Sequence, residues 1–71
     1  MGFKERLRDK RIEAGMLQRD LAAKAGVTTR TIQNYELGTR RPQHTEVVQR
    51  LAEALGTTPD YLVGMEGQYI M

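Results

Sequence analysis

The chain has 71 residues, of which 39% are apolar and 28% are charged, and it contains neither Cys nor Trp. A chain of this length forms one small domain with little room for an enclosed substrate cavity, and the lack of Cys excludes disulfides, thiol nucleophiles and thiolate metal sites. The net charge of +2 divides into +5 over residues 1–41 (ten basic, five acidic) and −3 over residues 42–71 (one basic, four acidic), which predicts that the basic end faces a polyanion.

Apolar residues recur at helical spacing along the chain, and no segment alternates apolar and polar residues as a half-buried strand does. In the first predicted helix, over residues 3–14, Phe3, Leu7 and Ala14 share one face. Gly15 ends this helix, since glycine readily adopts the conformation that follows a helix C-terminus. The pattern predicts an all-α fold.

The second and third predicted helices are joined by a very short connection. A helix over Gln18–Ala25 ends at Gly26, and Thr28 is a favourable N-cap for a third helix that runs through Glu36. The second helix has only about two turns, so it is stable only when it packs against its neighbours. A connection this tight makes the helices cross steeply, so the third helix projects its outer side where it can enter the major groove of DNA.

A basic loop and a longer helix follow. Gly38 and Pro42 prevent the third helix from continuing, so residues 37–42 are predicted to form a loop. The apolar face of the next segment predicts a fourth helix over Thr45–Leu55, with Gly56 as its stop.

The last predicted helix is short. Thr58 caps it, Pro59 occupies its first position and it ends at Val63. We therefore expect one domain over residues 1–64, followed by a C-terminal tail over residues 65–71 that is either disordered or a dimer contact.

Several motifs, in this order and spacing, resemble the helix-turn-helix domain of the phage repressor and Cro family, also called XRE-like regulators. They are QRDLAAKAGVTTRTI at 18–32, YELG at 35–38, RP at 41–42, LAEALG at 51–56 and TPDYL at 58–62. The resemblance spans about residues 3–64, nearly the whole chain. It implies a compact five-helix lambda-repressor-like bundle that binds DNA.

The resemblance also implies which residues face the bases. Thr29, Arg30 and Asn34 match base-contacting positions, and Gln33 lies one position off that face and is assigned to the same set. An arginine can bond guanine O6 and N7 with both arms, and an asparagine can do the same to adenine. For Arg30, a phosphate contact or a solvated charge is the competing interpretation.

A second set of residues matches positions that contact the DNA backbone, where charge and reach suffice. This phosphate-contacting set is Gln18, Thr39, Arg40 and Arg41, and Arg19, Thr28 and Thr31 are assigned to it as well. For Thr31, the edge of the base-facing surface is the competing interpretation. The chain departs from the family pattern at Leu17, whose side chain can neither cap the second helix nor contact phosphate.

Other residues are assigned structural roles. Arg11 and Glu36 resemble a partly buried ion pair that ties the first helix to the end of the third. The shared core is predicted to contain Phe3, Leu7, Met16, Leu21, Ala22, Val27, Ile32, Val48, Leu51, Leu55 and Leu62. Tyr35 is predicted to be buried with Ile32 on the third helix.

The leading hypothesis is a cytoplasmic, nucleoid-associated transcription regulator, a repressor that binds double-stranded DNA. Because one recognition helix reads too few base pairs for selectivity, we expect a homodimer, at least on DNA, bound to a palindromic operator. The candidate dimer interface lies in the acidic C-terminal part and contains Tyr61, Val63, Tyr69 and Ile70.

Other classes of function are less consistent with the sequence. No glycine-rich phosphate loop, paired-histidine zinc motif or nucleophile elbow occurs, and His44 has no second ligand, so we expect no enzyme, metal, cofactor or small-molecule ligand. A protein-interaction module, as in antitoxins on a related scaffold, is the alternative, but it has no need for Arg30 and Asn34 beside a basic loop. A basic helix on a membrane surface is disfavoured, because the apolar face of the first helix is sparse and interrupted by Arg11.

Overall fold

The computed structural model describes residues 2–64, which form five α-helices. These helices are α1 (Phe3–Glu13), α2 (Gln18–Ala25), α3 (Thr29–Leu37), α4 (Thr45–Leu55) and α5 (Pro59–Val63). The predicted all-α fold is confirmed, and no strand occurs within residues 2–64. Two boundaries differ by one residue from the prediction: α1 ends at Glu13 and α3 continues to Leu37.

Threonine side chains fix the starts of α3 and α5. The hydroxyl oxygen of Thr28 accepts a hydrogen bond from the backbone N–H of Thr31 at 3.1 Å. The hydroxyl oxygen of Thr58 accepts one from the N–H of Tyr61, also at 3.1 Å. Each bond satisfies a donor that the first turn of a helix leaves without an internal partner.

The start of α2 is held differently, because Leu17 occupies its N-cap. The carboxylate of Asp20, three residues further on, accepts a hydrogen bond from the backbone N–H of Leu17 at 2.9 Å. Its negative charge in the first turn also complements the helix dipole. Asp20 therefore supplies a stabilising contact that the sequence analysis, which considered only the N-cap side chain, did not identify.

Each helix contributes one large, fully buried side chain to the core. These are Leu7, Leu21, Ile32, Leu51 and Leu62. Around them α2 packs against α3 and α4, α1 packs against α3 and α5, and α4 packs against α5. Met16 and Val27 lie in the connections and are only partly buried against this cluster, so their assignment to the core was too strong.

None of the helices within residues 2–64 combines the length and apolar character needed to cross a membrane. The predicted tail over residues 65–71, with the candidate interface residues Tyr69 and Ile70, lies outside the described residues.

Candidate nucleic-acid interface

The connection between α2 and α3 is three residues long and tightly hydrogen-bonded. Gly26 adopts a left-handed conformation, with φ of 73°, which lets the chain reverse directly after α2. The N–H of Val27 then donates to the carbonyl of Ala22 at 3.0 Å. The hydroxyl oxygens of Thr28 and Thr31 lie 2.9 Å apart. The first turn of α3 is thus fixed relative to the end of α2.

The inner side of α3 is buried against α1 and α2. Ile32 is fully buried, and the ring of Tyr35 meets the ring of Phe3 edge to face, with centroids 5.8 Å apart. Burial raises the pKa of Tyr35, an effect that the positive charge of Arg40 partly offsets. These contacts fix both the position of α3 and its rotation about its own axis.

The outer side of α3 faces solvent. Arg30 and Gln33 are exposed, whereas Thr29 and Asn34 are half-buried. Because helix positions three and four apart lie on one face, Gln33 and Asn34 flank Arg30 on its two sides. Within residues 2–64 the side chains of Arg30, Gln33 and Asn34 form no hydrogen bond or ion pair, which leaves their donors for a partner.

The backbone carbonyl of Asn34 organises the loop that follows α3. It accepts hydrogen bonds from the N–H groups of Gly38 at 3.0 Å, Thr39 at 3.1 Å and Arg40 at 3.4 Å. It also accepts from the hydroxyl of Thr39 at 3.2 Å. The exposed side chains of Thr39, Arg40 and Arg41 therefore start from a fixed point beside α3.

A surface depression of about 630 Å³ lies between this loop, α3 and the start of α4. Thr31, Arg40 and Arg41 line it, together with Gln43 and His44, which the sequence analysis did not assign to the site. Their place just before a helix N-terminus, where free N–H groups attract anions, is the signal that would have identified them. His44 belongs to no group of three or more His, Asp or Glu among residues 2–64 that could hold a metal ion.

On the opposite flank of α3, one carboxylate joins three helices. The guanidinium of Arg11 binds the carboxylate of Glu36 through two hydrogen bonds, from Nε to Oε2 at 2.7 Å and from Nη2 to Oε1 at 3.0 Å. The third nitrogen of Arg11, Nη1, donates to the backbone carbonyl of Met16 at 2.9 Å. The hydrogen bond to Glu36 raises the pKa of Arg11. The amide of Gln18 donates to the same Glu36 Oε1 at 3.2 Å, so one of its two amide hydrogens is already engaged.

This flank also brings Gln18 beside Gln33. Both line a depression of about 610 Å³, with Leu17 and Leu37 among its other lining residues, and both leucines are more than half exposed. Arg19 is exposed in the first turn of α2. Groups of the predicted phosphate-contacting set therefore lie on both flanks of the outer side of α3.

Known proteins share this architecture. A helix-turn-helix family model matches residues 7–62. The solution structure of the DNA-binding domain of the P22 c2 repressor is 31% identical in sequence, with a TM-score of 0.82, and the match covers 87% of this chain and 80% of that one. The crystal structure of the P22 c2 repressor in complex with a synthetic operator is 30% identical, with a TM-score of 0.84, and the match covers 89% of this chain and 94% of that one.

Proposed function

This chain belongs to the XRE/lambda-repressor-like family of helix-turn-helix domains, and we propose that it is a sequence-specific DNA-binding transcription regulator. In this proposal it acts as a repressor in the cytoplasm, associated with the nucleoid, and binds a palindromic operator as a homodimer. The observation that carries the proposal is the outer side of α3, where Arg30 and Gln33 are exposed and have no partner within residues 2–64.

The dimensions of α3 support insertion into the major groove. A helix with its side chains is about 10–12 Å in diameter, and the groove of B-form DNA is about 12 Å wide. The nine residues of α3 span about 13 Å, enough to cover a few base pairs. The guanidinium of Arg30 then recognises guanine O6 and N7, and the amides of Asn34 and Gln33 recognise adenine N6 and N7. Thr29, at the start of the helix, completes the base-facing set.

The groups on the two flanks of α3 support contacts to both strands of the groove. On one flank are Thr39, Arg40 and Arg41, with Thr31 beside them. On the other flank is Gln18, whose second amide hydrogen has no partner within residues 2–64. Arg19 is exposed in the first turn of α2, next to Gln18 in the sequence. Thr28 lies at the start of α3. Hydrogen bonds to phosphates fix the register of the helix, and the base contacts then determine sequence.

A dimer supplies the selectivity that one short helix lacks. Two copies related by a two-fold axis present their α3 helices to half-sites about 34–36 Å apart. The exposed part of α5 is the candidate contact. There Tyr61 and Val63 are half-buried, and the ring of Tyr61 is covered by the guanidinium of Arg6 at 4.7 Å.

Selection from a random duplex pool at physiological salt tests the proposal. We expect enrichment of a palindrome bound by two chains, as measured by sedimentation of the protein with the selected duplex. Arg30→Ala should reduce discrimination at one base pair per half-site by about 1–3 kcal/mol, while Arg41→Ala should weaken binding to every sequence and lower the slope of log K against log salt by about 0.9 per chain.

The outcomes separate the parts of the proposal. A pool that shows no enrichment after repeated rounds contradicts sequence-specific binding and favours the protein-interaction module. One chain per selected duplex contradicts the homodimer alone. Equal losses from Arg30→Ala and Arg41→Ala on selected and random duplexes contradict the division between base-contacting and phosphate-contacting residues.

A further inference from the structure

The side chain of Lys4, in the first turn of α1, lies against the residue that ends α3. Gly38 has a φ of 82°, and a Cβ atom built on it would lie 2.9 Å from Cδ of Lys4 and 3.4 Å from its Nζ. The absence of a side chain at Gly38 is therefore what allows the lysine to approach this closely. The contact of the Phe3 and Tyr35 rings, 5.8 Å apart, holds the start of α1 against α3 at the same place.

Lys4 shares a surface depression with the basic loop. This depression, of about 250 Å³, is lined by Lys4 and Glu5 on one side and by Arg40 and Arg41 on the other. The same two arginines also line the larger depression that reaches His44 and the start of α4. Arg40 and Arg41 thus stand between two depressions, and three cations surround the smaller one.

Glu5 pairs only weakly with Lys4. Its carboxylate accepts a hydrogen bond from the N–H of Gly2 at 3.1 Å, and backbone hydrogen bonds lower its pKa, so it is ionised and engaged at the N-terminus of α1. The distance from Nζ of Lys4 to Oε2 of Glu5 is 4.0 Å, and both side chains are nearly half exposed. An exposed pair at this separation contributes little, and the ammonium keeps donors for another anion.

We propose that Lys4 is a further phosphate-contacting residue, which holds a DNA backbone phosphate together with Arg40 on the α1 side of the loop. This inference rests on the proposed function and extends the contacted strand beyond the groove that α3 fills. A structural role makes a different prediction, because a lysine near the C-terminus of α3 also stabilises the helix dipole.

Lys4→Gln tests the proposal, since it removes the charge and retains most of the side-chain length. With a short mixed-sequence duplex, loss of one phosphate contact per chain should lower the slope of log K against log salt by about 0.9. The loss of affinity between about 50 and about 200 mM salt should then be about 3.5-fold smaller than for the wild type. Lys4→Arg should restore the wild-type slope.

Lys10→Gln is the matched control on the same helix. The ammonium of Lys10 lies 5.0 Å from the centre of the Tyr61 ring and 3.6 Å from a carboxylate oxygen of Glu13. We expect this variant to keep the wild-type slope. Urea denaturation of all variants shows whether any change in binding follows a change in stability.

A wild-type slope for Lys4→Gln, with a lower urea midpoint, overturns the inference and assigns Lys4 to the stability of α3 alone. If Lys4→Gln keeps the wild-type slope but Arg41→Ala lowers it in the same assay, the inference about Lys4 fails and the proposed function stands. If the wild-type chain binds no duplex, the proposed function and this inference fall together.

Discussion

Ile32 and Tyr35 on the inner side of α3 are buried, whereas Arg30 and Gln33 on its outer side are exposed. The inner residues contact α1 and α2 and hold the helix in place. The side chains of the outer residues form no hydrogen bond or ion pair within residues 2–64. In this nine-residue helix, the side that determines where the helix lies is therefore different from the side that is available to a partner.

Stability and recognition are therefore expected to depend on different residues of the same element. Substitutions on the inner side should unfold the domain and reduce every activity together. Substitutions on the outer side should change binding with little effect on the free energy of unfolding.

Ile32→Ala should have the largest effect. It removes a fully buried side chain from the centre of the core, and such truncations lower the free energy of unfolding by about 2–5 kcal/mol. Urea denaturation followed by circular dichroism measures the loss. Gln33→Ala, one residue further on, is the matched outer control and should change stability by less than about 0.5 kcal/mol. Equal losses for the two variants would contradict the division.

Arg11→Met should have the next largest effect. It leaves the carboxylate of Glu36, whose side chain is only 5% exposed, without its bidentate partner. Because the arginine side chain is itself 14% exposed, we expect a loss of about 2–3 kcal/mol, below the full cost of breaking a buried pair.

The double variant Arg11→Met/Glu36→Leu is the control for that loss. It replaces both charges by apolar groups and should recover much of the stability, because the penalty lies in the unpaired charge. No recovery in urea denaturation would show that the network stabilises the fold in some other way, for example through the bond from Arg11 to the carbonyl of Met16.

Thr28→Ala should lower stability less than Ile32→Ala or Arg11→Met, by about 1 kcal/mol, through loss of the cap on α3. Thr28 is also a predicted phosphate-contacting residue. Thr28→Ala should therefore weaken duplex binding when affinity is measured under conditions in which the variant is fully folded. Thr58→Ala removes an equivalent cap from α5 and should lower stability to a similar extent without changing affinity. Similar binding by both variants would assign Thr28 to capping alone.

The sequence predicted the helices well because their signals are local. Apolar spacing, glycine stops and the cap at Thr28 placed all five helices within one residue of their observed ends. Burial was harder to predict, since it depends on neighbouring elements. Val27 proved only partly buried, and Asn34, assigned to the base-facing surface, is half-buried.

The residues of the candidate site that lie on one helix could be placed together from the sequence. Those that come together only where two helices meet were harder to predict. The spacing of Arg30, Gln33 and Asn34 follows from α3 alone. Lys4 went unnoticed because it meets Gly38 only after folding brings α1 against the end of α3. The roles of these residues in binding DNA stay predictions.

The shared carboxylate of Glu36 has a consequence for how this domain can change over time. Its Oε1 atom accepts from both Arg11 and Gln18, which belong to different helices. A replacement at Glu36 therefore needs compensation at two distant positions at once, whereas Arg30 and Gln33 can be exchanged singly. Binding preferences can therefore change by single substitutions, whether in evolution or in engineering. A change at Glu36 cannot be made one residue at a time without loss of its hydrogen bonds to Arg11 and Gln18.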